Sequence, residues 1–347
     1  MNLELTDEQR LLAETARAFV DRHGDGDAWP TIAEAGWAAP LVPEEQGGAD
    51  AGLLELALVC EALGRGPVAS PLIATRVLAS LPIYLDGTSE QRDRWLPALA
   101  DGSAIGTMAL LEPAMRDEWD EPRMSGAGRL SGTKILVPWA TRADVIVVAT
   151  VAGLRLVEVA SANAQIDEHD GLDGEPLAAV TFDATVAEPI GGGRGGVTVA
   201  VVLDHAAVAT LAYAVGAAER ALELTVQHAG DRHQFGRPIG SFQAVAHRCA
   251  EMRAEIDACR YLAFRAAWTL EHSTAPGVAV TTAKSYANEA LRRVFLHAHQ
   301  VHGAMGFTTE HPLHRFTQCV KAFELTYGST ARHRDRLATA MGLGTRP

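Results

Sequence analysis

Two short segments carry the side chains best suited to chemistry. The first reads Arg232-His233-Gln234-Phe235-Gly236-Arg237-Pro238-Ile239-Gly240-Ser241-Phe242-Gln243 and follows a long apolar helical stripe. The second reads Gln300-Val301-His302-Gly303-Ala304-Met305-Gly306-Phe307-Thr308-Thr309-Glu310. An arginine and a phenylalanine at a helix end suit a dinucleotide. The guanidinium clamps pyrophosphate through two parallel hydrogen bonds, and the ring stacks on a flat base. Gly303, following Gln300, removes a side chain so that backbone can approach a ligand closely. Either segment alone reads as a helix end and a turn. Both together, with Gln243 between them, read as a dinucleotide site.

Other chemistries lack their spacing. His233, His247, His297, His299, His302, His311 and His314 crowd the last third of the chain, but no His-Glu-x-x-His pattern orders them, and solvated or core histidines are expected rather than a metal centre. No Gly-x-Ser-x-Gly anchors a nucleophilic serine. The run Gly191 to Gly196 lacks the Lys-Ser/Thr ending of a phosphate loop and is expected to be a linker. Cys60, Cys249, Cys259 and Cys319 form no close pair, so no disulfide framework is expected and a reducing cytoplasm is the expected setting. Cys249 and Cys259 fall on one predicted helix and read as small buried hydrophobes.

These segments must be held by a sizeable scaffold. At 347 residues the chain can bury a large core and split into two or three lobes. A net charge of -13 sets up a field that repels polyanions, so neither nucleic acid nor an anionic membrane is an expected partner. The start, Met1 to Glu8, has no basic region or apolar signal core. Apolar runs such as Val145 to Val151 are too short to cross a bilayer, so a soluble protein is expected.

The order of elements is helices, strands, helices. Thr6 with Gln9, and Thr88 with Gln91, form capping-box patterns ahead of helically spaced apolar residues. Pro97 is expected to bend or shorten the second of these helices. Leu54 to Leu63 reads as another helical face. Ile135-Leu136-Val137, Asp144 to Thr150, Leu154 to Val159 and Ala178 to Phe182 are short β-rich runs punctuated by turns, forming a β-domain of about 90 residues. Beyond it, Val208, Leu211, Val215, Ala218, Leu222 and Val226 make one long stripe, continued by Arg253 to Leu270 and Val278 to His299. The expected fold is mainly α with a central β-domain, divided as 1–106, 107–196 and 197–347.

The two site segments resemble the FAD-embracing signatures of the acyl-CoA dehydrogenase family, at that family's separation. The resemblance continues through Gly36 to Gly48, Gly87-Thr88-Ser89-Glu90-Gln91 with Trp95-Leu96-Pro97, Glu112-Pro113, and Ser131-Gly132-Thr133-Lys134. It implies an N-terminal helical domain, a β-barrel-like middle domain and a C-terminal helical bundle, assembled as a tetramer built from dimers. It also implies FAD as cofactor, held here by Arg232, Phe235, Phe242, Gln243, Gln300, Gly303 and Ala304. Members oxidise acyl-CoA to 2-enoyl-CoA: a glutamate removes the α-proton while the β-hydrogen leaves as hydride. Hydrogen bonds to the thioester carbonyl acidify that proton.

The resemblance fails at the catalytic centre. Counting from Gly306 puts Tyr327 at the glutamate position, and a phenol of pKa about 10 is only about 0.1% ionised at neutral pH. The alternative base position on the long helix is Ala206. The residues expected to contact the flavin ring are Leu111, Leu136 and Pro138, none of which hydrogen-bonds through its side chain. In the family the ring and base belong to one subunit, whereas the Arg-Phe and Gln-Gly segments reach the FAD of its dimer mate. The chain therefore looks most like the non-catalytic subunit of actinobacterial heterotetrameric acyl-CoA dehydrogenases that shorten steroid side chains. Its implied partners are a homologous subunit carrying the catalytic glutamate and an acyl-CoA substrate. The alternatives are a homomeric enzyme with a relocated base, Glu324 first, a flavin-free scaffold on the same fold, or a flavin monooxygenase.

Overall fold

The computed structural model describes residues 4–343 apart from 24–25, 40, 50, 127, 192–194 and 274–275. The described residues form two compact units, one of residues 1–23, 57–68 and 207–347, the other of 24–56 and 69–206.

The first unit is helical. It contains α1 (Asp7–Arg22), most of α3 (Leu53–Arg65) and most of α6 (Gly195–Asp231), then α7 (Gln243–His272), α8 (Gly277–His302), α9 (Leu313–Leu325) and α10 (Thr330–Ala340). Thr6 caps α1 in the expected capping box, its hydroxyl accepting from the Gln9 N–H while Gln9 returns a bond to the Thr6 N–H. The 37-residue α6 is long and apolar enough to cross a bilayer, which the reading of short runs did not anticipate. Most of that apolar window is buried inside the protein, as expected of a core helix.

Helices α3 and α6 cross at van der Waals distance because each presents a glycine to the other's backbone. A Cβ at Gly64 would lie 1.9 Å from the Tyr213 carbonyl oxygen, and one at Gly216 would lie 1.9 Å from that of Glu61. The crossing is framed by charges. Buried Glu61 accepts from Arg260 Nε (3.1 Å), Glu219 bridges Arg253 and Arg260, and Arg65 forks onto Glu223.

The second unit carries α2 (Trp29–Glu34), α4 (Leu81–Asp86), α5 (Ser89–Ala100) and two β-sheets. A seven-residue π-helical stretch, Ala74–Ser80, leads into α4. Thr88 and Gln91 close the second capping box, and Pro97 is accommodated inside α5. Strands β1 (Gly106–Ala109), β3 (Val145–Thr150), β4 (Gly153–Glu158) and β7 (Glu188–Pro189) form one sheet in the order β1-β3-β4-β7. Strands β2 (Leu130–Pro138), β6 (Pro176–Thr185) and β5 (Ala164–Asp170) form an antiparallel second sheet in the order β2-β6-β5. The two share a core of Leu130, Val137, Val180 and Phe182 from one side and Ile146, Val148 and Val157 from the other. The helix–strand–helix reading thus holds, while β1, β5, β7 and the π-helix were not legible. Of the glycine-rich run, Gly192 to Arg194 lies outside the described residues, and Gly195 already opens α6.

Candidate functional site

The Arg232 segment is a hairpin between α6 and α7. Strands β8 (His233–Gln234) and β9 (Arg237–Pro238) pair antiparallel around a two-residue tip of Phe235 and Gly236, with φ of 51° and 77°. Two left-handed residues at the tip match the twist of the flanking strands. The hairpin is tied at its base by the Arg232 N–H to the His228 carbonyl (2.9 Å) and the Ile239 N–H to the Arg232 carbonyl (2.8 Å). Arg232 is exposed, and among the described residues its guanidinium has neither ion pair nor hydrogen-bond partner. Phe235 is 93% exposed. Phe242 is the N-cap residue of the 30-residue α7 and gives it no side-chain acceptor, while Gln243 opens the helix and faces solvent.

The Gln300 segment ends α8. Gln300 lies exposed in the last turn, and Gly303 terminates the helix at φ 63°, ψ −142°. That conformation is confined to glycine. A Cβ there would meet open space, so the backbone conformation, rather than crowding, requires glycine at this position. Ala304 follows, exposed, in a short 3₁₀ turn that runs to Phe307.

A histidine stack joins the two segments. His228, one turn before Arg232, stacks on His302 at 4.7 Å, and His302 meets His311 at 4.6 Å. The ends of α6 and α8 therefore coincide, and the hairpin and the Gly303 turn lie at one end of the bundle. His302 is buried, its Nδ1 donates to the Ala298 carbonyl (2.9 Å), and its Nε2 has no partner among the described residues. Burial, with the neighbouring imidazoles, pushes its pKa down to about 4. Burial likewise lowers those of His228, His299 and His311. His228 and His302 meet face to face, His302 and His311 at 58°, and among the described residues no group of three or more His, Cys, Asp or Glu could hold a metal. The histidines are thus less scattered than their spacing implied. The available signal was the paired spacing of His299 with His302 and of His311 with His314, which puts each pair on one helical or turn face.

At the position of the expected base the chain makes a rigid turn. Tyr327 sits at φ 54° and Gly328 at 111°. The Tyr327 carbonyl accepts from His333 Nε2 (3.0 Å), and a Cβ on Gly328 would come 2.5 Å from that nitrogen. Buried Lys284 donates to the Phe323 carbonyl at the end of α9. Glu324 is engaged by Lys321, one turn earlier, at 3.1 Å. Ala206 is fully buried in α6 and belongs to the other unit.

In that other unit Leu111 is buried, Leu136 is exposed at φ 53°, and Pro138 is half-buried. Leu136 sits where the β2–β6 register slips, between Lys134 and Val137. The Ile135 N–H donates to the Leu111 carbonyl (2.9 Å), which ties the Leu111 segment to β2. Beneath them Lys134, with no exposed surface, donates to Glu112 at 2.6 Å and to the Leu110 carbonyl at 2.9 Å. Burial would raise the Glu112 pKa, but the Lys134 ammonium and the N–H groups of Met124 and Arg123 hold it below the usual carboxylate range. Glu112-Pro113 and Gly132-Thr133-Lys134, noted separately in the sequence, are therefore two ends of one buried ion pair.

A guanidinium without a partner among the described residues and an exposed ring, both carried by one hairpin that leads into a helix without a side-chain N-cap, fit the anionic and planar parts of a dinucleotide. Leu111, Leu136 and Pro138 offer no side-chain donor to a flavin ring.

Comparison with known proteins gives the family. Residues 6–103 match the acyl-CoA dehydrogenase N-terminal domain and residues 193–342 the acyl-CoA dehydrogenase C-terminal domain. The acyl-CoA dehydrogenase IpdE2 of Mycobacterium tuberculosis is 32% identical over 89% of this chain and 90% of its own. The Tcur3481–Tcur3483 steroid ACAD superposes with a TM-score of 0.88 at 31% identity, covering 97% of this chain and 98% of that one. PigA, solved with FAD and proline, superposes with a TM-score of 0.90 at 26% identity, covering 99% and 100%. By both domain matches and by full-length similarity, this chain belongs to the acyl-CoA dehydrogenase family.

Proposed function

We propose that this chain is the non-catalytic subunit of a heteromeric, cytoplasmic, FAD-dependent acyl-CoA dehydrogenase that acts on steroid side-chain thioesters and completes the FAD site of a homologous partner carrying the catalytic glutamate. One observation carries the reading: Arg232 is exposed with no ion pair or hydrogen-bond partner for its guanidinium among the described residues and the Phe235 ring is exposed, whereas the positions for flavin-ring contacts and catalytic base hold Leu111, Leu136, Pro138, Ala206 and Tyr327. Arg232 clamps the pyrophosphate, Phe235 stacks on the base, and Gln300, Gly303 and Ala304 supply backbone and amide contacts from the end of α8, with Phe242 and Gln243 shaping the floor between. FAD, when bound, supplies the two-electron acceptor. Exposed Phe235, Met305 and Phe307 around this end of the bundle support a docked partner, because exposed apolar clusters mark interaction surfaces. The similarity to the Tcur3481–Tcur3483 steroid ACAD supports the substrate class and the paired assembly. Glu324, held by Lys321 on its own helix, gives a relocated base little support.

The test compares the chain alone with the chain co-expressed with an adjacent homologue. Alone it is expected to be nearly colourless and inactive with any acyl-CoA. In the complex, Arg232→Ala should lower FAD affinity roughly ten- to a hundredfold, the cost of a lost charged hydrogen-bond pair, while Tyr327→Phe leaves turnover unchanged. A yellow homo-oligomer that is reduced on adding acyl-CoA, or a Tyr327→Phe complex without activity, refutes the proposal.

A further inference from the structure

We propose that Arg237 is a positioning residue: its guanidinium, stacked on Phe242, fixes the orientation in which the exposed Phe235 ring meets the flat base of the cofactor. The inference rests on the reading that this hairpin serves FAD.

The hairpin tip is an improbable place for an aromatic. Phe235 has φ 51°, a left-handed conformation disfavoured for a bulky side chain, and two-residue tips with both φ positive favour Asn-Gly. Such departures persist where the residue has a task. A ring that is 93% exposed would also swing freely about χ1 unless something holds it. Its ring meets Phe242 edge-on at 6.1 Å and 82°. An edge contact of that kind leaves a face of Phe235 open to stack on a planar group.

Phe242 in turn is unexplained by its place in the fold. It occupies the N-cap of α7, where an oxygen-bearing side chain is favoured, and makes no capping bond. What it does make is a platform for Arg237, whose guanidinium carbon lies 4.1 Å from the ring centroid. Arg237 pairs with Gln234 across the hairpin ladder, so its stem is anchored where the ring needs it. Among the described residues Arg237 has no carboxylate partner, which leaves the ring as its partner. Guanidinium, ring and ring thus form a chain of contacts ending at the exposed face. Arg232 meets the ligand directly in this scheme, and Arg237 acts through Phe242.

The test measures FAD dissociation from the partnered complex by flavin fluorescence, with no turnover involved and with thermal melts to establish that each variant is folded. Arg237→Ala should weaken FAD about two- to fivefold, the range of an exposed cation–π contact. Arg237→Lys should restore most of the affinity, and Arg237→Met, which keeps the stem without the charge, should not. In a Phe242→Leu background Arg237→Ala should add nothing, because coupled residues are non-additive. Wild-type affinity in Arg237→Met overturns the inference. So does an undiminished effect of Arg237→Ala in the Phe242→Leu background, since the guanidinium would then be meeting the phosphates itself. Arg232→Ala in the same assay separates the two readings. Loss of FAD there with a flat Arg237 series removes Arg237 alone, whereas unchanged affinity in both removes the cofactor site and this inference together.

Discussion

Acidification should unfold this protein through the histidine stack. His302 is buried between His228 and His311, with His299 on its own helix and Asp231 and Arg232 beside His228. Its pKa is depressed to about 4, against an ordinary value of about 6.5 in the unfolded chain. A depressed histidine favours the fold above the unfolded pKa and withdraws that support as pH falls through it toward the folded pKa. The unfolded state takes up the proton first. By linkage, His302 alone removes about 2 kcal/mol between pH 7 and pH 5, and about 3 kcal/mol by pH 4. The lowered pKa values of His228, His299 and His311 add in the same direction. The assay is urea unfolding across that range for wild type and for His302→Asn, which keeps a donor near the Ala298 carbonyl but cannot titrate. The variant should lose about 2 kcal/mol less than wild type between pH 7 and pH 5. An identical loss in both proteins would refute the reasoning, because the proton uptake would then lie elsewhere.

Two further substitutions test the packing that holds the site. Gly216→Ala should destabilise the fold by about 2–4 kcal/mol despite its better helix propensity, because the new methyl forces α3 from α6 and strains the buried Glu61 pairs. A denaturant midpoint equal to wild type would show that the crossing yields freely. Lys134→Met should cost about 3–5 kcal/mol by leaving Glu112 as a buried, unneutralised carboxylate, with part recovered in the Lys134→Met/Glu112→Gln double variant. No recovery on thermal melting would mean that packing, not charge, sets the cost.

Much of the architecture is local and was legible in the chain. The capping boxes at Thr6 and Thr88 depend on residues three apart, so hydroxyl and amide find each other whatever the rest of the protein does. The long stripes of the C-terminal helices and the placing of the strands between two helical regions follow from periodicities that a sequence displays directly. The turn at Gly303 was marked by residue type as well, whereas the segment after Arg232 read only as a helix end and its hairpin at Phe235-Gly236 emerged from the structure. Tertiary structure decided what depends on distant partners. Glu112 and Lys134 lie apart in the chain, and the fold brings the carboxylate and ammonium within 2.6 Å where the Leu111 carbonyl meets the Ile135 N–H of β2. Gly64 and Gly216 look like weak points in their helices until α3 and α6 cross on them. His228, His302 and His311 come from three separate segments, and burial at the meeting of their elements, not their spacing, shifts their protons. Residue types and short spacings specify local hydrogen bonds, but a pKa, a close helix crossing or a ring stack is a property of what the whole fold packs against a side chain.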